Sequence, residues 1–155
     1  MVVIQMNNRL FDLREINDLL QKDIAEKLGV CQQTYSLWER GIKIIPLKHL
    51  NNLCNYYNVS MDYVIGLSND KYDKNIINIK SINKTTVGTN IKKLREMKKL
   101  TLRDLASILN TTSSTISAYE TGKTLILTAF AYQIAKKYNV SLDWICGKTK
   151  DMEIK

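Results

Sequence analysis

The sequence predicts an all-α protein made of two tandem five-helix units, and three observations lead to that reading. Residues 13–66 and 94–147 align without a gap at a fixed offset of 81. Apolar residues in both copies recur at helical spacing and are preceded by residues that cap helix starts. Gly29 and Asn110 hold equivalent places between two short apolar stripes. Glycine and asparagine are the residues that most readily take a left-handed backbone, so a tight turn is expected at both points. Two copies are too few for a solenoid, which needs at least three stacked repeats. The expected organisation is therefore a first unit over 1–66, a linker over 67–86 and a second unit over 87–155. Units of this size are small but can fold alone.

The identities between the copies are spread along their length. Leu13-Arg14-Glu15 falls on Leu94-Arg95-Glu96, and Asp23, Ala25 and Leu28 fall on Asp104, Ala106 and Leu109. Thr34, Ser36, Glu39 and Gly41 fall on Thr115, Ser117, Glu120 and Gly122. Tyr57-Asn58-Val59-Ser60 is repeated as Tyr138-Asn139-Val140-Ser141, followed by Asp62/Asp143 and Gly66/Gly147.

In the second copy, Ile91, Leu94, Arg95 and Lys98 lie at helical spacing and predict a first helix over 88–99. Thr101-Leu102-Arg103-Asp104 reads as a capping box that opens the second helix. A hydroxyl at the cap and a carboxylate three residues on satisfy free amides there. Leu105, Ala106 and Leu109 form its buried stripe, and Asn110 ends it. The third helix is expected over 113–121, capped by Thr112, and over 32–40 in the first copy, where Cys31 is a weaker cap. A short helix, a tight turn and a second short helix make a helix-turn-helix. Fourth helices are expected over 46–57 and 128–138. Fifth helices start at Ser60 and Ser141, with Asp62 and Asp143 placing a carboxylate in the first turn.

The predicted core of the first copy is Leu13, Ile24, Ala25, Leu28, Trp38, Leu50, Leu53, Val59 and Val64. That of the second is Leu94, Leu105, Ala106, Leu109, Ile116, Tyr119, Ala131, Ile134, Val140 and Ile145. Trp38 and Tyr119 occupy equivalent places at core spacing, so packing is expected of them rather than base stacking.

The net charge of +8 and pI of 9.4 point to a polyanionic partner. Residues 1–80 carry ten Lys/Arg and nine Asp/Glu, whereas residues 81–155 carry thirteen and six. The second copy is thus the stronger source of non-specific phosphate attraction. Cys31, Cys54 and Cys146 show no CxxC spacing, and His49 is the single histidine, so neither a zinc site nor a disulfide framework is expected. Cys54 and Cys146 lie on apolar faces and are read as core; His49 is read as surface. No nucleophile–base set or glycine-rich phosphate loop is present, so no enzyme activity and no cofactor are expected. Met1 to Met6 is too short for a signal peptide and no apolar run approaches a membrane span. A cytoplasmic protein of bacterial or phage origin is expected, an origin also suggested by the abundance of Asn, Ile and Lys.

The run Gln21-Lys-Asp-Ile-Ala25-Glu-Lys-Leu28-Gly29-Val-Cys-Gln32-Gln33-Thr34-Tyr-Ser36-Leu-Trp-Glu39-Arg-Gly41 resembles the core motif of the phage-repressor and Cro family, the XRE-like helix-turn-helix group. The second copy departs from it with Leu102 in place of Gln21 and Asn110 in place of Gly29. The resemblance covers roughly 9–66 and 88–147. It implies two lambda-repressor-like DNA-binding domains in tandem. The chain would then be a transcriptional regulator, with repression as the default mode and double-stranded DNA as the partner.

The resemblance also implies roles for individual residues. The third helix of each copy enters the major groove. Cys31, Gln32, Gln33 and Leu37 fall on its base-reading face in the first copy, and Thr112, Ser113, Ser114 and Ala118 in the second. A glutamine amide can bond adenine N6 and N7 together, so Gln32 and Gln33 suit A·T-containing steps. The short side chains of the second copy read sequence less sharply. Gln21, Lys22, Thr34, Arg40 and Lys43 are implied phosphate contacts, as are Arg103, Thr115, Lys123 and Thr124. Lys92, Lys93, Lys98 and Lys99 fit either further phosphate contacts or a solvated helix face. Arg14 with Glu39, and Arg95 with Glu120, are implied structural ion pairs. Cys31 at a helix start invites a redox reading, but no resolving partner is visible, and an ordinary small side chain is expected.

Ile76 to Ile82 is apolar enough for a short strand or helical turn, and Val2, Val3 and Ile4 offer a matching segment. A flexible linker of 20 residues spans about 25 Å on average and about 66–70 Å at full stretch. Half-sites for such motifs lie roughly 34 Å apart. One chain can therefore reach two unlike half-sites as a covalent pseudo-dimer, the first copy specifying and the second anchoring. A homodimer or a protein partner is also compatible with the sequence. The alternative function is a protein-interaction module of antitoxin or antirepressor type, with Leu125-Ile126-Leu127 as a docking patch.

Overall fold

The computed structural model describes residues 6–155, so the segment Val2 to Ile4 lies outside the described residues. Ten helices follow in order. The first copy contains α1 (Leu10–Ile16), α2 (Gln21–Leu28), α3 (Gln32–Glu39), α4 (Leu47–Tyr57) and α5 (Met61–Val64). The second contains α6 (Lys84–Met97), α7 (Leu102–Ile108), α8 (Ser113–Glu120), α9 (Thr128–Tyr138) and α10 (Leu142–Ile145). The fold is all-α, as predicted. Among the described residues there is no strand, and Val140 and Glu153 form an isolated antiparallel bridge.

The local logic is the one the residues encode. Thr101 Oγ1 accepts from the Asp104 amide at 3.1 Å, and Asp104 returns the bond to the Thr101 amide at 2.8 Å. In the first copy Asp23 accepts from the Leu20 amide at 2.9 Å, but Leu20 has no hydroxyl to complete the box. Gly29 and Asn110 both take positive φ, of 69° and 54°. Asn58 and Asn139 do the same at the ends of α4 and α9, which accounts for the repeated asparagine there. Every core residue expected above is buried. Gly88 of α6 sits against the end of α8, where a Cβ would come within 2.3 Å of the Tyr119 carbonyl oxygen.

Four expectations need correction. Helix α6 begins at Lys84, within the expected linker. Its cap is Asn83, whose side chain accepts from the Thr85 and Thr86 amides. Residues 76–82 form neither strand nor helix. Their polar groups are used elsewhere: Asn51 and Asn55 both donate to the Ile79 carbonyl, and the Ile77 amide donates to the Lys148 carbonyl. His49 is half-buried rather than on the surface, because its ring lies 5.1 Å from that of Trp38. Finally, the repeat runs past Gly66 and Gly147. The Ser60 amide donates to Lys71 O and the Ser141 amide to Met152 O, again 81 residues apart. Within these extensions Ser68 Oγ accepts from the Asp70 amide at 3.0 Å, as Thr149 Oγ1 does from Asp151 at 3.1 Å. The connection between the copies is thereby shortened and tied down on both sides.

The two copies meet through their fifth helices. Asp143 of α10 accepts from the Met61 and Asp62 amides at the start of α5, at 3.0 and 3.1 Å. Asp62 of α5 accepts from the Leu142 amide at 2.7 Å and from the Ser141 hydroxyl at 2.5 Å. Each carboxylate thus caps the helix of the other copy. Contacts between equivalent residues that run both ways are the mark of a two-fold interface. Both side chains are buried, Asp62 at 5% exposure and Asp143 at 0%. Hydrogen bonds to charged groups contribute about 1.5–3 kcal/mol each, offset by the cost of desolvating two neighbouring carboxylates. Cys54 and Cys146 are buried beside this pair, and burial pushes both thiols up. Lys148, exposed by only 1%, reaches across to Asn55 Oδ1 at 3.4 Å. The C-terminal tail adds a strap: Ser68 Oγ donates to the Lys155 carbonyl, and Lys155 Nζ pairs with Asp73 at 3.2 Å.

Burial, and then the facing Asp143, push the Asp62 carboxyl well above the usual carboxylate range. A raised acid stabilises the fold fully below its unfolded value of about 3.9, and that contribution is lost as pH rises through the folded value. Asp62→Asn removes this dependence. Its stability relative to wild type, read from urea denaturation, is expected to improve steadily from pH 5 to pH 8; a flat difference would contradict the assignment. His49, held low by burial and by Lys48, titrates in the opposite sense but is common to both proteins and cancels. Asp143→Asn is expected to be the more harmful change, by about 1–3 kcal/mol, because both Asp143 oxygens accept from backbone amides and an NH2 can replace neither. In Asp62→Asn the new NH2 can still face the Ser141 hydroxyl.

Candidate nucleic-acid interface

Each copy presents a short helix in a fixed pose on its surface. Helices α2 and α3 are joined by the turn at Gly29, and α7 and α8 by the turn at Asn110. Thr112 Oγ1 accepts from the Thr115 amide at 3.2 Å to start α8. Cys31 makes no such cap; its Sγ lies 3.1 Å from Thr34 Oγ1. Tyr35 and Trp38 anchor the inner face of α3, and Ile116 and Tyr119 that of α8. The outer faces are left to solvent.

A buried ion pair braces each of these helices from its C-terminal end. Arg14 donates to Glu39 through Nη2 at 2.8 Å and Nε at 2.9 Å. Arg95 donates to Glu120 through Nε at 2.5 Å and Nη2 at 3.2 Å. The Glu39 and Glu120 side chains are 3% and 6% exposed. Each arginine also holds the loop that leads to the next helix, through Nη1 to Leu19 O and to Leu100 O, both at 2.8 Å. Burial pushes the Glu39 carboxyl up, but the bonds from Arg14 and Gln21, together with the Arg14 charge, outweigh it and hold it below its ordinary value. The glutamate bond raises the Arg14 and Arg95 guanidinium groups.

Among the residues assigned to base reading, Cys31, Gln32 and Gln33 are exposed and Leu37 is half-buried. Gln21, Gln32, Gln33, Ser36, Leu37 and Arg40 line one shallow depression of about 330 Å³. Ser36 had not been singled out; its place one turn after Gln32 and Gln33 was the available signal. In the second copy Thr112 and Ser114 are exposed, and Ser113 and Ala118 are half-buried. Lys22, Arg40, Lys43, Arg103, Lys123 and Thr124 are exposed around these faces. Gln21 is half-buried and donates to Glu39 at 3.4 Å, so it couples the ion pair to the outer face. The Thr34 and Thr115 hydroxyls are turned toward the residue before each helix. Arg9, basic and near the start, is taken up internally: it bonds the Ser68 carbonyl at 2.6 Å and Asn69 at 2.7 Å and lies over the Tyr63 ring.

Residues 10–64 match a family described as helix-turn-helix, and residues 88–149 match one described as a helix-turn-helix domain. This chain is a tandem pair of XRE-like helix-turn-helix domains. The chain is similar to three proteins of Bacillus subtilis strain 168. It is 39% identical over 62 residues to the uncharacterized HTH-type transcriptional regulator YobD, which is 40% of this chain and 55% of YobD. It is 37% identical over 59 residues to the uncharacterized HTH-type transcriptional regulator YqaE, covering 37% of this chain and 51% of YqaE. Identity to the HTH-type transcriptional regulator ImmR is 35% over 63 residues, covering 41% of this chain and 50% of ImmR. The tandem chain thus spans about half the length of the curated relatives it matches. Among solved structures, the clp gene regulator ClgR of Corynebacterium glutamicum is 17% identical over 44% of this chain and 90% of its own, with a TM-score of 0.39.

Arg14→Ala leaves the Glu39 carboxylate buried without its partner and is expected to cost about 3–5 kcal/mol in urea denaturation. A loss below about 1 kcal/mol would be the behaviour of an exposed pair and would contradict the bracing role.

Proposed function

We propose that the chain is a sequence-specific DNA-binding transcriptional regulator, acting by binding rather than catalysis. In this reading it lays α3 and α8 in two successive major-groove segments of one duplex. One observation carries the reading: two equivalent exposed helix faces, each braced by a buried Arg–Glu pair, occur in one chain whose halves are joined by a two-fold-like contact. Recognition helices of this type read half-sites about 34 Å apart, in phase with the duplex. The halves are not equivalent readers. Gln32 and Gln33 offer amides that discriminate bases, whereas Ser113, Ser114 and Ala118 offer short contacts. The excess of basic residues on the second copy suits phosphate anchoring. The operator then consists of two unlike half-sites, and one chain occupies both. Repression by occlusion of polymerase is the simplest mode, and the bacterial cytoplasm is the expected setting.

The test is selection from a random duplex library with the purified chain at near-physiological salt. Two unlike half-sites at a fixed separation are expected. Enrichment of a single half-site would leave the second copy as an anchor only, and no enrichment would favour a protein-docking role. Gln33→Ala is expected to lose about 1–3 kcal/mol of affinity and to relax specificity in one half-site. Lys43→Ala should weaken all sequences alike and lower the salt slope by about 1. If binding proves insensitive to salt, DNA recognition by this surface is ruled out.

A further inference from the structure

We propose that Asp62 and Asp143 set the distance at which the two half-sites must lie. The inference rests on the DNA-binding reading above and adds a specificity element remote from the recognition helices. On sequence alone the linker is the natural ruler, since a flexible chain of that length tolerates a broad range of separations. The structure assigns the task elsewhere. The carboxylates exchange four hydrogen bonds between the copies, all with groups at helix starts, and both are buried. A rotation of one copy against the other would break several of these bonds and leave backbone amides unpaired in an apolar surround.

A second pair of equivalent segments borders one groove between the copies. Ile44, Pro46, Leu47 and Lys48, at the start of α4, and Leu125 to Ala129, at the start of α9, line a common groove of about 370 Å³. These segments are equivalent at the offset of 81, so the two-fold-like relation extends from the fifth helices to the starts of the fourth helices. Within each copy the recognition helix is fixed to the core by its Arg–Glu pair. A continuous set of packed elements therefore runs from α3 through the carboxylates to α8. The connecting segment is bonded to both copies, through Ile79 to Asn51 and Asn55 and through Ile77 to Lys148, but it does not lie between the recognition helices in this chain of contacts.

The experiment uses the full chain and a set of duplexes carrying the two selected half-sites with the spacer varied one base pair at a time. Three proteins are compared: wild type, Asp143→Ala, and a protein with six Gly/Ser residues inserted between the exposed Lys80 and Ser81. Wild type and the insertion protein are expected to share one preferred spacing, favoured by about tenfold or more over its neighbours. Asp143→Ala, checked for helicity by circular dichroism, is expected to accept several spacings within about threefold of one another. A paired spin-label distance without DNA, from Cys31 to a cysteine placed at Ser113, gives an independent reading. It should be narrow for wild type and insertion, and broad for Asp143→Ala. A shifted or broadened profile in the insertion protein would overturn the proposal, as would an unchanged single spacing in folded Asp143→Ala. If Asp143→Ala does not fold, the insertion protein decides alone. If wild type selects no paired half-sites, it is the DNA-binding reading that fails, and this inference falls with it.

Discussion

Everything about how this chain presents its two surfaces depends on a pair of buried carboxylates. Asp62 and Asp143 each sit in the first turn of a four-residue helix, too short to be stable alone, and each satisfies amides at the start of the other. The capping groups of α5 come in part from the second copy, and those of α10 from the first. The local stability of each fifth helix is thereby made conditional on the presence of the other copy. This cross-capping turns a tandem repeat into a single two-headed body. It also buries two carboxyl groups side by side, an arrangement whose cost depends on pH through Asp62.

The same repetition allows the two heads to diverge. The bracing parts are kept: arginine on the first helix, glutamate at the end of the third, the left-handed turn, the serine cap of the fifth helix. The outward parts are changed. Glutamines face serines across the two copies, and the second copy carries most of the excess positive charge. The division between what is kept and what varies follows burial, since a buried ion pair or cap is costly to alter and an exposed side chain is not.

Much of this organisation was legible in the residues. The offset of 81 disclosed two units, and the apolar spacing placed ten helices and all the core residues named from it. What stayed hidden was long-range. Asp62 and Asp143 were visible as first-turn carboxylates, but a cap on one's own helix and a cap on another copy's helix have the same local signature. The continuation of the repeat to Lys71 and Met152 was masked because backbone bonds carry it, with little identity beyond Asp70 and Asp151. Ile76 to Ile82 has the apolar content of a short strand or helical turn, yet the Ile79 carbonyl is claimed by Asn51 and Asn55 and the Ile77 amide by Lys148. His49 could not be placed without knowing that Trp38 would lie beside it. On the outer faces the sequence was more informative, because exposed positions on a short helix follow from its period alone.

The central claim is that one chain is the complete two-headed reader. Sedimentation equilibrium of the chain with a duplex bearing both half-sites tests it most directly, paired with footprinting of the same complex. The account predicts one chain per duplex with both half-sites protected. Two chains per duplex, or one chain protecting a single half-site, would contradict it.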